Sequence, residues 1–343
     1  MTDSVKQSDS ATPSGLPLHT YWLPIPPATS VPRFTMSRVV PDTAVEAEAC
    51  ANCGKEGNDD SVKLKNCTAC FLVKYCSVDC QKAHRKKHKK ACKERVAELK
   101  DEKLYGQGHE RPLEDFCPIC TLPIALPMES NSGFMVCCTT KVCAGCGLAA
   151  HKRGMLGKCP FCRTPSRDIM KSTLAMVQKR MKANDPQAFR FLASTHYFGT
   201  YGSAKDVPRA IELWREAAKL GSLEAHLMLG DQYMRGEAVA KDEAKAVEYW
   251  EVAAMQGHVE SRHNLGIYES NNRNNERAVR HLMISAKMGY KESLDTIKEM
   301  FADGHALKQQ YAEALAGYQI AVEETKSPDR DEYRQGNFKK SVY

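Results

Sequence analysis

Residues 50 to 92 read CANCGKEGNDDSVKLKNCTACFLVKYCSVDCQKAHRKKHKKAC, and this stretch decides how the N-terminal part of the chain folds. Its cysteines and one histidine form pairs with the spacings C-x2-C, C-x2-C, C-x3-C and H-x3-C. A gap of two residues lets both sulfurs of a turn reach one ion, and a gap of three places two ligands one helical turn apart. Eight such ligands make two tetrahedral zinc sites. They are Cys50, Cys53, Cys67, Cys70, Cys76, Cys80, His88 and Cys92.

The order and spacing of these pairs are similar to those of the MYND zinc finger along its whole length. Tyr75 before Cys76 and Gln81 after Cys80 match that family as well. The resemblance implies interleaved zinc sites and a groove near the metal that takes proline-containing peptides. The implied ligand sets are Cys50, Cys53, Cys76 and Cys80 for one ion, and Cys67, Cys70, His88 and Cys92 for the other.

One position departs from the family pattern. MYND fingers often have tryptophan four residues before the ligand histidine, where this chain has His84. His84 follows Cys80 by one helical turn, so it competes with His88 as a ligand. The H-x3-C spacing, which only His88 gives, favours His88.

A second group of eight cysteines follows the first. The phrases Cys-Pro-Ile-Cys at 117–120 and Cys-Pro-Phe-Cys-Arg at 159–163 resemble the start and the end of a RING finger. That resemblance implies two further zinc ions, with cysteine at every ligand position. One implied set is Cys117, Cys120, Cys143 and Cys146, and the other is Cys137, Cys138, Cys159 and Cys162.

This second group departs from the RING pattern in two ways, because the usual histidine is missing and Cys137 and Cys138 are adjacent. Neighbouring side chains of an extended chain point in opposite directions, so the two cysteines need a sharp local turn to hold one ion. Thr139 and Thr140 can continue such a turn. His151 is an alternative ligand, and a zinc-stapled linker without RING activity stays open as an alternative reading.

A RING finger holds a ubiquitin-conjugating enzyme and has no reacting side chain of its own. Three positions match that family's contacts with the enzyme, namely Ile119, Pro160 and Arg163. The resemblance therefore implies a ubiquitin-protein transferase. Each residue also has a plain explanation, since proline favours the turn after a zinc cysteine and Arg163 can be an ordinary surface residue.

The C-terminal half contains an internal repeat. Trp214 and Trp250 are 36 residues apart, and so are Gly221 and Gly257. Alanine pairs near the tryptophans let two helices approach closely, and the glycine ends each second helix in a left-handed conformation. Such units bury their apolar faces only by stacking on neighbours, so the sequence predicts a helix-pair solenoid.

These residues resemble the Sel-one-like repeat, a relative of the tetratricopeptide repeat. The third copy is shortened and has Leu282 at the tryptophan position, and a fourth copy, from Glu292 to about Glu324, is degenerate. The resemblance implies a scaffold whose concave face holds a protein or peptide. The second copy carries the pattern at Ala225, Leu229, Gly230, Tyr233, Gly236, Asp242, Ala246, Trp250, Ala253, Ala254 and Gly257.

The distribution of charge and cysteine bears on the partners. All 15 cysteines lie between Cys50 and Cys162, and residues 50 to 100 hold 13 Lys and Arg against 6 Asp and Glu, which equals the whole net charge of +7. The basic run 82–93 fits an acidic partner, a nuclear-localisation or nucleic-acid patch, or an ordinary basic surface. Nucleic acid is weakly supported, because no aromatic residues are interleaved to stack on bases.

We expect the protein to be located in the cytoplasm, the nucleus or both. Thiols stay reduced there unless a metal holds them, and residues 1–10 lack the apolar core of a signal peptide. No stretch approaches the roughly 18 apolar residues of a membrane span, so no membrane partner is expected.

The sequence thus predicts small zinc-stapled modules followed by an all-α helix-pair solenoid. Its predicted function is a zinc-dependent protein–protein interaction adaptor, and specifically a RING-type ubiquitin ligase whose MYND finger and repeats select substrates. The alternative is a non-enzymatic scaffold or nuclear transcriptional regulator with purely structural zinc. The predicted segments are a disordered Pro-rich tail (1–48), the MYND finger (49–92), a linker beginning with a short charged helix (93–114), the RING-like finger (115–165), the repeats (184–324) and a disordered tail (325–343).

Overall fold

The computed structural model describes residues 49–57, 62–155, 157–159 and 162–336, except for the side chains of residues 166–171. The predicted Pro-rich tail and Pro160 therefore lie outside the described residues. The chain divides into two compact units. The described residues of one unit are 112–225 and 318–336, and those of the other are 49–111 and 226–317.

The first cysteine-rich module is built from a short hairpin and a long helix. Strands β1 (Lys65–Asn66) and β2 (Lys74–Tyr75) pair antiparallel. Helix α1 (Val78–Tyr105) begins at Ser77, whose hydroxyl accepts a hydrogen bond from the Cys80 N–H at 3.2 Å and so satisfies a free donor of the first turn.

The predicted segment 93–114 begins in a helix, as expected, but this helix is not separate: it is the continuation of α1, which runs without a break to Tyr105. Residues 93–105 contain neither glycine nor proline, and Arg95 pairs with Glu98 and Glu102 along the helix. Alanine, leucine, lysine and glutamate favour helix, so nothing in this segment ends α1 before Gly106.

The second cysteine-rich module starts with a 3-10 turn (Leu113–Asp115) and helix α2 (Met128–Asn131). Strands β3 (Ser132–Met135) and β4 (Thr140–Cys143) form an antiparallel hairpin, and helix α3 (Ala144–Lys152) follows directly. Its small core combines cysteines with a few apolar side chains. The buried members are Cys117, Ile124, Met128, Met135, Val142, Cys143, Cys146 and Cys159.

Helices make up the rest of the described chain. The predicted solenoid is confirmed as an all-helical repeat region, in which α5 packs against α6, and α9 packs against both α8 and α10. The helices are α4 (Ser166–Met181), α5 (Pro186–Phe198), α6 (Val207–Lys219), α7 (Leu223–Arg235), α8 (Glu243–Ala254), α9 (Val259–Asn271), α10 (Asn275–Lys287), α11 (Lys291–Ala302), α12 (Lys308–Glu324) and α13 (Pro328–Gln335). Among them, no described helix is long and apolar enough to cross a membrane.

The recurring glycines have two distinct roles. Gly221, Gly257 and Gly289 follow the second helix of each pair with φ of 93°, 89° and 96°, as the predicted left-handed caps require. Gly230 instead lies within α7, where a Cβ would come within 2.4 Å of the Trp250 indole nitrogen. The glycine of the Leu-Gly pair therefore leaves room for the Trp250 side chain that packs beside it.

Gly230→Ala is expected to destabilise the unit formed by residues 49–111 and 226–317. The added methyl group must displace the buried Trp250 ring, and overpacking of this kind costs about 1–3 kcal/mol. The denaturation midpoint of the variant measures this cost. Glu248→Ala, an exposed change on the same repeat, is the control, and equal midpoints for the two variants would contradict the prediction.

The predicted disordered tail at 325–343 also needs correction. Helix α13 occupies 328–335 and begins at Ser327, whose hydroxyl caps the N–H of Arg330. Pro328 at the first helical position and two aspartates in the first turn are further helix-start features. The polar composition hid this helix, because it is anchored by a buried arginine rather than by an apolar face.

Candidate metal centres

The structure brings the sixteen candidate ligands together in four groups, and these are the four predicted sets. Within each group the ligand atoms all lie within 4.8 Å of one another. The groups are Cys50, Cys53, Cys76, Cys80; Cys67, Cys70, His88, Cys92; Cys117, Cys120, Cys143, Cys146; and Cys137, Cys138, Cys159, Cys162.

The sulfur separations fit a zinc ion. A tetrahedron with Zn–S bonds of about 2.3 Å places its sulfurs about 3.8 Å apart. The Cys76 Sγ atom lies 3.6 Å from the Sγ atoms of both Cys53 and Cys80, and the Cys120 and Cys143 sulfurs are 3.8 Å apart. Four soft donors at this spacing suit zinc. Zinc binding is therefore well supported, while the number of ions stays a prediction.

In the first module, turns and a helix supply the ligands. Each C-x2-C pair sits in a tight turn, where the Gly54 N–H donates to the Cys50 carbonyl at 2.9 Å and the Phe71 N–H donates to the Cys67 carbonyl at 3.0 Å. Helix α1 supplies Cys80, His88 and Cys92, whereas Cys76 lies just before the N-cap residue Ser77. One rigid helix thus takes part in both groups.

Of the two candidate histidines, the structure places His88 in a ligand group. The His88 Nε2 lies 3.1 Å from the Cys70 sulfur, and the ring is buried. His84 lies outside the four groups, and its Nδ1 lies 3.2 Å from the Tyr75 hydroxyl. The two imidazoles stack with centroids 5.9 Å apart, so His84 supports the ligand ring by packing.

Backbone and side-chain donors prepare some sulfurs of this module for metal. N–H groups of Cys53 and Cys76 donate to the Cys50 sulfur and lower the pKa of that thiol to about 6. Hydrogen bonds from the side chains of Asn52 and Ser77 lower the pKa of Cys80. Because zinc binds thiolates, donors that stabilise the charged form favour binding at neutral pH.

In the second module, the adjacent cysteines lie in the hairpin turn between β3 and β4. Thr139 adopts a left-handed conformation with φ of 55°, and the Cys138 N–H donates to the Met135 carbonyl at 3.2 Å. This is the sharp turn that the spacing requires, and it leaves the Cys138 sulfur 3.6 Å from that of Cys159. His151, the alternative ligand, lies outside all four groups.

The three positions matched to RING contacts are placed unevenly. Ile119 is half-buried and packs against the core of the second module. Arg163 is exposed, with a left-handed φ of 56°. Pro160 lies outside the described residues. Their contacts with a conjugating enzyme stay a prediction.

Two further surfaces in the unit formed by residues 49–111 and 226–317 are candidates for binding. The basic run lies on α1, and its seven cations are all exposed: Lys82, Arg85, Lys86, Lys87, Lys89, Lys90 and Lys93. A groove of about 280 Å³ lies between α7, α8 and α9. In it, Asp231 accepts hydrogen bonds from Trp250 Nε1 at 3.2 Å and Asn264 Nδ2 at 3.0 Å. No sequence pattern marks Asp231 or Asn264, since polar residues on helices are usually only solvated.

Comparison with known proteins agrees with two of the resemblances. The MYND finger family matches residues 50–92, and the Sel1 repeat family matches residues 182–222 and 223–258. A Sel1 repeat protein from Oxalobacter formigenes is 26% identical over 47% of this chain and 67% of its own, with a TM-score of 0.41. A protective antigen of uropathogenic Escherichia coli with an SLR fold is 25% identical over 45% of this chain and 33% of its own, with a TM-score of 0.39.

The chain therefore carries a MYND finger and Sel1 repeats, and α9 to α12 continue the helix-pair pattern beyond residue 258. Both families are in general protein-interaction modules, which indicates a protein-interaction adaptor.

Proposed function

We propose that this adaptor is a RING-type ubiquitin ligase that holds four zinc ions and selects substrates with its MYND finger and repeats. The interleaving of residues 117–162 carries the proposal. The first and third cysteine pairs form one group and the second and fourth form the other, although the pairs alternate along the chain. Zinc at both groups would staple two loops and α3 into one rigid surface in place of a large apolar core.

The rigid surface is what such a ligase needs, because its task is to hold a ubiquitin-loaded conjugating enzyme. Ile119 lies inside the first cysteine pair and Arg163 directly follows the last, so zinc at these cysteines would hold each of them in place. An exposed guanidinium can donate hydrogen bonds to two carbonyl groups at once, which suits contact with enzyme and ubiquitin together.

Substrate selection is assigned to the unit formed by residues 49–111 and 226–317. The exposed cations of α1 favour an acidic partner surface by charge complementarity and would speed its association. The MYND finger adds a preference for proline-containing peptides, as the family resemblance implies. The compartment in this proposal is the cytoplasm, the nucleus or both.

A non-enzymatic scaffold is the second candidate, and one observation favours it. The Ile119 side chain is half-buried against the module's own core, which reduces the apolar surface it offers to an enzyme. In that case the zinc ions are purely structural, and the chain acts only by bringing partners together.

An in vitro ubiquitination assay with purified full chain and a panel of conjugating enzymes separates the two. We expect ubiquitin transfer that falls at least about 30-fold in Ile119→Ala and Arg163→Ala, the factor for loss of a contact worth 2 kcal/mol. Arg153→Ala, an exposed change in the same module, should keep full activity. If no conjugating enzyme of the panel supports ubiquitin transfer, the ligase proposal is wrong and the non-enzymatic scaffold remains.

A further inference from the structure

We infer that the C-terminal helix α13 is part of the metal centre formed by Cys117, Cys120, Cys143 and Cys146, with Arg330 supplying the positive charge that balances its thiolates. The inference rests on the zinc occupancy in the proposed function. It adds a coupling between metal binding and docking of the chain's C-terminal segment.

The Arg330 side chain is only 4% exposed, and its donors converge on the first cysteine loop of the second module. One terminal nitrogen donates to the Pro123 carbonyl at 2.6 Å and to the Thr325 carbonyl at 2.7 Å. The other donates to the Leu122 carbonyl and the Cys120 sulfur, each at 3.2 Å. A guanidinium from residue 330 therefore contacts a candidate zinc ligand directly.

The module is shaped to receive this helix. Gly145 on α3 has no side chain, and a Cβ there would lie 2.6 Å from the backbone nitrogen of Arg330. Lys152, at the end of α3, pairs with Glu332 of α13. The approach of the two helices thus depends on features of both, as expected of a built contact rather than a tail lying on a surface.

Charge explains why an arginine occupies this place. A buried cation costs several kcal/mol unless an anion lies beside it. Within the described chain, Arg330 has no carboxylate at ion-pair distance, and its remaining acceptors are neutral carbonyls. The Cys120 thiolate is the anion that the contacts offer.

Zinc at this centre would hold both the Cys120 sulfur and the loop that contacts Arg330 in place. Zinc with four thiolates carries a net charge of −2, so a loaded centre provides a counter-charge for Arg330. Without the ion, nothing would hold the four sulfurs together, and the loop whose Leu122 and Pro123 carbonyls accept from the guanidinium would no longer be fixed. Zinc binding and α13 docking therefore stabilise each other, and by linkage the coupling is equal in both directions.

Zinc release from full-length protein tests the metal side of the coupling. The probe is a chelator challenge followed by native mass spectrometry. We expect Arg330→Gln to lose one of four zinc ions about 10–100-fold faster than the wild type, because removing an outer-shell partner usually lowers the metal affinity by about that factor. Arg330→Lys keeps the positive charge, so it should release zinc more slowly than Arg330→Gln and faster than the wild type. Arg334→Gln on the same helix, which removes an exposed ion pair with Asp331, should match the wild type.

Hydrogen exchange of the unaltered protein tests the helix side and does not depend on any variant folding. Removing zinc should abolish protection of residues 328–335. Unchanged protection, or equal release from wild type and Arg330→Gln, would overturn the coupling while leaving the ligase proposal intact. A wild type that holds only two ions, both in residues 50–92, would overturn the coupling together with the proposed zinc occupancy. A chain that shows the coupling but transfers no ubiquitin would overturn the ligase proposal alone.

Discussion

Removal of zinc is expected to unfold the first cysteine-rich module, at residues 49–57 and 62–92, while residues 226–317 stay folded. The buried core of this module is only Cys50, Cys67, Cys70 and Tyr75, and its strands are two residues long. So little apolar burial cannot offset the conformational entropy of more than 30 residues at about 1–2 kcal/mol each. Zinc sites of this kind supply about 10–16 kcal/mol of apparent binding free energy at pH 7, which becomes folding free energy.

Hydrogen exchange with and without a strong chelator measures this effect segment by segment. Cys70→Ser should produce the same loss of protection as the chelator, because Cys70 is 1% exposed and a hydroxyl is a poor zinc ligand. Thr68→Ala, an exposed change in the same turn, is the matched control. A module that stays protected after complete metal removal would show that its fold does not depend on zinc.

The grouping of the candidate ligands was predictable from the sequence for a simple physical reason. Ligand spacing within a pair is covalent, so C-x2-C and H-x3-C can be read without knowing the fold. The interleaving of pairs came from the family resemblances, and the structure groups the residues in the same way. The choice of His88 over His84 also followed from spacing, and the contact of His84 with Tyr75 gives it a physical basis.

The parts that were not predictable depend on contacts between distant residues. The sequence predicts a separate charged helix after Cys92, whereas that helix is the continuation of α1, whose end is held by contacts far along the chain. The buried partner of α13 is 210 residues away from Cys120, and no local pattern marks Arg330 as buried. In both cases a polar segment is fixed by an arginine, which hydrophobic periodicity cannot reveal.

The repeat glycines show how a family pattern and a packing argument complement each other. The Sel-one-like repeat pattern has Leu-Gly and Trp as two separate positions in each copy. The structure places Gly230 against Trp250 and Gly266 against Leu282, so the two positions are one packed pair. That pairing also explains why the third copy accepts Leu282, since the side chain beside the glycine must be apolar but need not be tryptophan.

Arg262→Ala is expected to be the most destabilising single change in the unit formed by residues 49–111 and 226–317. The Arg262 side chain is 0% exposed and donates to three backbone carbonyls, those of Leu104 at 2.8 Å, Gln107 at 2.6 Å and Ala254 at 2.8 Å. Each buried acceptor left without a donor costs about 1–3 kcal/mol, so the loss should reach at least about 3 kcal/mol.

Burial lowers the pKa of Arg262 to about 10, so the side chain is still protonated at neutral pH and keeps all its donors. Arg262→Lys should recover only part of the loss, because one ammonium group cannot reach three carbonyls on two separate segments. Chemical denaturation measures the free energy of unfolding, and Lys298→Ala, an exposed change on α11, should leave it unaltered.

The Arg262 contacts also bear on function, because they fix the end of α1 against α9 within one unit. The same helix supplies metal ligands at its start, so the MYND finger and the repeats at 226–317 are joined by a continuous helix whose far end is clamped. A partner that touches both surfaces then binds without first ordering a linker, which lowers the entropic cost of binding. We therefore expect Arg262→Ala to increase exchange at residues 100–108 before it affects residues 67–92. Simultaneous loss of protection in both segments would show that the finger has no stability of its own.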